Sequence, residues 1–172
     1  MKIEELESMQ KELLHGVEAV FKEGDVATIY REKGEEDLPC DVLSVLITNV
    51  GPDSDEIMGE FLFVPLPSDE GVMYFSAGIA LEDEVPILHL DTLCEAMAAV
   101  NFIIPVGNFS LHGSSLYFKF SQPIPTSFAK EDIQALVELA VAHSLDVAGQ
   151  YVSSLLRVAN GKETLETFVS AL

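Results

Sequence analysis

Four histidines, two cysteines and 29 carboxylates are the side chains of this sequence best able to do chemistry, and their spacing decides what kind. His89-Leu90-Asp91 places two metal-ligand types on one side of an extended segment, and Cys94 follows one helical turn later. A structural zinc site uses four ligands, usually in closely spaced pairs, and His15, His112 and His143 all lie far from this trio in sequence. A loop histidine, a helix cap and a core thiol are the plainer reading of the three. A metal-dependent protein or enzyme built on His89, Asp91 and Cys94 is the alternative. Asp53 and Asp55 begin like a calcium loop, but Ile57 occupies a ligand position and Met58 stands where a glycine is required, so a polar turn is expected.

Acid–base and nucleophilic chemistry fare no better. His112 stands beside Ser114 and Ser115 without a nearby carboxylate to orient it, and it reads as an exposed turn residue. His15 and His143 fall on helical patterns, and Asp41 disfavours a thiolate at its neighbour Cys40. Glu35-Glu36 and Glu82-Asp83-Glu84 sit in loop-like sequence without the aromatic surroundings that keep a carboxyl protonated for acid catalysis. The glycine-rich phosphate loops, the nucleophile elbow and the H-E-x-x-H zinc motif are absent from the sequence. No catalytic residue and no cofactor are therefore expected.

The elements that position these residues follow from hydrophobic periodicity. Ile3, Leu6, Met9, Leu13, Val17, Val20 and Phe21 form a helical stripe ending near Lys22, with Gly24 as the stop. Val26 to Tyr30, Val42 to Val50, Glu60 to Val64 and Val72 to Leu81 read as strands separated by turns over 34–39, 51–55, 65–71 and 82–86. Gly59 and Gly78 suggest bulges. A second helix begins at Asp91 or Thr92, where Thr92 and Glu95 match a capping box, and ends before Pro105. A hairpin turns at His112-Gly113, with Phe109, Leu111, Leu116, Phe118 and Phe120 on one face. A long third helix, capped by Thr126 or Ser127, reaches Val158, and 162–172 supply a short terminal helix. The absence of β-α-β alternation implies an α+β domain with an antiparallel sheet of five or six strands and flanking helices, the first and third packed on the sheet. The whole chain, 1–172, reads as one domain with its core over about 1–158.

Composition narrows the class. The chain is 48% hydrophobic with a net charge of -20, which describes a packed and acidic protein. All nine Lys and Arg residues lie between Lys2 and Lys33 or between Lys119 and Lys162, and fifteen acidic residues occupy the cation-free segment between. Nucleic acid and an anionic bilayer are poor partners for such a field, whereas a basic polypeptide is a suitable one. The Lys- and Glu-rich start carries no secretory pattern, and the apolar run Ala96 to Tyr117 is broken by Asn101, Pro105 and Gly107. A cytoplasmic location with free thiols is expected.

The run NFIIPVGNFSLHGSSLYFKFSQPIP, from Asn101 to Pro125, followed by a long helix, resembles YbjN-like members of the type III secretion chaperone-like superfamily. That resemblance implies a dimeric α+β domain that binds polypeptide and has no enzymatic activity. The expected function is a chaperone-like or regulatory protein-binding module. A structural subunit of a larger complex is a further alternative. Leu93, Met97 and Val100 on the second helix and Leu136, Leu139 and Val147 on the third supply more apolar surface than one sheet face covers, and they are the expected partner or homodimer surface.

Overall fold

The computed structural model describes residues 3–51, 53, 55–66, 71–82 and 84–172. Pro52 and Ser54 of the 51–55 turn, residues 67–70 of the next turn, Asp83, Met1 and Lys2 lie outside the described residues. The element order is α1 (Ile3–Glu23), β1 (Ala27–Arg31), β2 (Val42–Val50), β3 (Asp55–Phe63), β4 (Val72–Glu82), α2 (Leu90–Ile103), β5 (Asn108–His112), β6 (Ser115–Pro125), α3 (Lys130–Ala159) and α4 (Leu165–Ser170). The strands form one six-stranded antiparallel sheet in the order β1-β2-β3-β4-β6-β5, with four flanking helices. The α+β class is thus as the periodicity indicates. Among the described residues no helix is long and apolar enough to cross a membrane.

The chain forms two compact units. Unit 1 comprises residues 1–46, 59–77 and 121–143, and unit 2 comprises residues 47–58, 78–120 and 144–172. In unit 1, β1 pairs with β2 so that Ala27 faces Leu46 and Arg31 faces Val42. Strand alternation sends Phe61 and Phe63 of β3, and Met73 and Phe75 of β4, to the buried side. Leu13 and Val17 of the α1 stripe are buried as well, and so is Leu14 beside them. The Phe21 ring of α1 stacks at 5.9 Å from Phe61, and Ile133 and Val137 of α3 are fully buried.

Unit 2 holds a contiguous apolar core that includes Ile57, Ile79, Leu93, Val100, Phe109, Phe118, Val152, Leu155 and Phe168. Phe118 and Phe109 stand opposite in the β5–β6 register with ring centroids 5.0 Å apart, and Tyr151 of α3 meets Phe109 edge-on at 6.0 Å. The turn into β5 needs Gly107: its φ is +72°, and a Cβ there would stand 2.3 Å from the Phe118 ring.

The starts of three elements differ from the sequence reading, each for a local reason. Strand β3 begins at Asp55 rather than Glu60, because Ile57 alternates inward despite its acidic neighbours. A Cβ at Gly59 would stand 3.0 Å from the Phe61 ring, so a close approach accounts for that glycine. The Thr92–Glu95 capping box does not form, since α2 starts at Leu90 with His89 as an N-cap that makes no side-chain bond. Thr126 and Ser127 do not cap α3, which starts at Lys130; the Thr126 N–H donates instead to the Gly71 carbonyl and prolongs the strand pairing.

Candidate functional site

In unit 1 the N-terminal half of α1 lies over an open groove of about 650 Å³. The opposite wall is the stretch from Phe63 to Leu66, where β3 leaves the sheet, together with Pro39, Cys40 and Asp41 at the entry to β2. Leu14 and Phe63 are buried beneath it, Leu6 is half-buried, and Ile3 and Leu66 are exposed. The amphipathic period explains the lining: Ile3, Leu6, Gln10 and Leu14 recur at three- and four-residue steps on one side of α1.

Charged side chains ring this apolar surface and are largely spent on one another. Lys11 Nζ donates to Glu32 Oε1 at 2.6 Å, and Lys33 Nζ donates to Glu7 Oε1 at 2.7 Å. Those bonds hold both ammonium groups above their ordinary range. Asp41 accepts from the Tyr30 hydroxyl at 2.8 Å and from the Lys33 backbone N–H at 2.6 Å. Burial, then Asp41, pushes the Tyr30 phenol up, and the same two causes in the same order push the Cys40 thiol up. A thiol held protonated is a poor nucleophile, and Cys40 contributes to the wall of the groove. His15 stacks on Tyr30 at 4.2 Å and pairs with Glu18 at 3.2 Å. Sequence reasoning missed the Tyr30–Asp41 pair because only the β1–β2 register brings those positions together.

The alternative metal ligands do not converge. His89 is half-buried with its ring against Gly161, where a Cβ would stand 2.6 Å from Nε2, whereas Asp91 and Cys94 are exposed. Among the described residues no group of three His, Cys, Asp or Glu side chains is placed to hold a metal ion. Both cysteines are free thiols. His112 is exposed in the β5–β6 turn, and His143 is exposed on α3. The turn that begins like a calcium loop is occupied by the protein's own cation: Arg157 Nη1 donates to Asp53 Oδ2 at 2.7 Å and its Nε to Glu163 Oε2 at 3.0 Å, while the Ser153 hydroxyl donates to Asp55.

Of the expected partner surface, Leu93, Met97, Val100 and Val147 are buried in unit 2, Leu136 is half-buried, and Leu139 is 59% exposed. Helix α2 spends its greasy face on this chain's own core, packing beside α4 and β5. Its solvent side carries Phe102, 90% exposed. A scan against protein-family models and a comparison with curated proteins both give no match.

Proposed function

We propose that this chain is a non-enzymatic, acidic, polypeptide-binding module of chaperone-like or regulatory type. The observation that carries the reading is the groove of unit 1, which is apolar at its centre and ringed by charges most of which are satisfied by one another. A site for a small polar substrate needs convergent polar groups aimed inward. Here Asp41 is engaged by Tyr30 and Lys33, and no buried side-chain nitrogen or oxygen among the described residues lacks a partner. Such a surface suits apolar side chains presented by another chain. Kinship with the YbjN-like chaperone superfamily belongs to the same proposal and rests on the Asn101–Pro125 run. The test is suppression of light scattering as a reduced, unfolded client protein aggregates. The expected result is dose-dependent protection near stoichiometric ratio, and scattering unchanged at a large excess of this chain would sink the reading.

Homodimerisation belongs to the proposal as well, with Leu139 and Leu136 of α3 as the members of the expected surface still accessible. Leu139→Asp should shift sedimentation equilibrium from dimer to monomer with the fold intact. A wild-type monomer at tens of micromolar, a range in which a micromolar-affinity pair is mostly associated, would remove the dimer.

A further inference from the structure

We infer that the unit 1 groove takes an extended segment of polypeptide in which apolar side chains alternate with Lys or Arg; the inference rests on the polypeptide-binding reading and names its ligand. Length and shape come first. The α1 wall from Ile3 to Leu14 spans roughly 16 Å at 1.5 Å per residue, which matches about five residues of extended chain. A groove of about 650 Å³ open along one side suits that extended backbone, which is thinner than a helix about 10–12 Å across.

The alternation follows from strand geometry. Successive side chains of an extended segment point to opposite sides, so every second one can reach the accessible apolar surface of Ile3, Leu6 and Leu66 while those between face the rim. The rim sets the sign of the intervening residues. Among the described residues of the rim, Glu4, Glu7, Glu32 and Asp41 stand against Lys11 and Lys33, and four carboxylates less two cations leave a charge of -2. With Lys11 on Glu32 and Lys33 on Glu7, that charge resides at Glu4 and Asp41, neither of which has an ion pair among the described residues. The overall charge of -20 favours approach of a cationic segment and opposes an anionic one.

The test uses the full chain and two fluorescent peptides, one with the core Leu-Lys-Leu-Lys-Leu and one with Glu in place of both lysines. Anisotropy should show the Lys peptide binding about tenfold more tightly than the Glu peptide at low salt. Leu66→Ser, at an exposed position of the groove, should weaken the Lys peptide by about tenfold. Ile29→Ser, at an exposed position on β1 outside the groove, should leave it unchanged, and Glu4→Lys should narrow the preference between the peptides. The bound Lys peptide should also slow alkylation of Cys40. Unaltered affinity in Leu66→Ser, or an unprotected Cys40, overturns the groove while peptide binding itself leaves the module reading standing. Absence of peptide binding in a protein that still suppresses aggregation overturns this inference alone, and failure of both assays overturns both.

Discussion

Helix α2 of unit 2 and the N-terminal half of helix α1 of unit 1 are held in place by different means, and the difference marks which unit is suited to receive a partner. In unit 2 helices α2 and α4 bury Leu93, Ala96, Met97, Val100 and Phe168 in one apolar core, and Arg157 pairs with both Asp53 and Glu163. In unit 1 helix α1 is fully buried only at Leu13, Leu14 and Val17, and its N-terminal half is fastened by Lys33–Glu7 and Lys11–Glu32 at the surface. Apolar burial contributes about 25 cal/mol per Å², whereas an exposed ion pair contributes little. Helix α2 is therefore the more firmly anchored of the two helices, and the N-terminal half of α1 is the wall that can adjust to an occupant. Native-state hydrogen exchange should show the amides of Glu7 to Lys11 opening well before those of Ala96 to Val100, and equal protection would break the comparison.

The largest effect expected of a single substitution is in the unit 2 core. Phe118 is fully buried, opposite Phe109 and against Gly107, so Phe118→Ala should cost about 3–5 kcal/mol in urea unfolding. A loss below about 1 kcal/mol would mean that the packing relaxes as freely as a surface and would remove the contrast.

Asn101 comes next. From α2 its amide donates to the Phe109 carbonyl at 2.9 Å, and its oxygen accepts the Phe109 N–H at 2.7 Å. One side chain thereby satisfies both backbone groups of an edge-strand residue, which also blunts that edge against pairing with another chain. Asn101→Leu leaves both groups unpaired and should cost about 2 kcal/mol. A substitution tolerated within about 0.5 kcal/mol would show that water replaces the amide.

These cases also show what the sequence discloses and what it withholds. Period-two and period-3.6 patterns located α1, β2, β4, α2, the β5–β6 hairpin and α3, because in each the buried side recurs in register with the element. The start of β3 was hidden because Asp55, Glu56 and Gly59 interrupt a pattern that only Ile57 sustains. For the expected partner surface the limit is a different one. A helix's greasy side reveals that something covers it and not what, and for Leu93, Met97 and Val100 the cover is this chain's own core. The groove was legible only in its α1 wall, since Pro39 to Asp41 and Phe63 to Leu66 are brought beside it by tertiary folding and carry no periodic signal.

Alkaline titration sharpens the contrast with a smaller effect. The folded-state values of Cys40 and Tyr30 both lie above their ordinary values of 9.0 and 10.0. The unfolded chain releases these protons first, so the stability they contribute is complete below about pH 9 and declines as pH rises past it. Both groups are in unit 1, whereas the raised group of unit 2, Arg157, stays protonated throughout. Urea midpoints should therefore fall between about pH 9 and pH 10.5, and Tyr30→Phe with Cys40→Ala should flatten that fall. An unchanged slope in the double variant would assign the alkaline loss to other groups.

The smallest effect is expected at Lys33 and Glu7, although they fasten the wall of the groove. Their bond is short, 2.7 Å, and it raises the lysine's affinity for its proton, which taken alone suggests a stabilising contact. Both side chains are about half exposed, at 57% and 49%, so water and salt screen the attraction, and two long side chains lose freedom to make it. Replacing both by neutral neighbours, Lys33→Met with Glu7→Gln, should leave the urea midpoint unresolved from wild type at physiological salt. The same double variant should nonetheless speed exchange of the first two turns of α1, because a bond too weak to stabilise the fold can still bias a locally opening helix end. A clear fall in the global midpoint would show that α1 is clamped by charge as firmly as α2 is by its core, and the distinction between the two units would be lost.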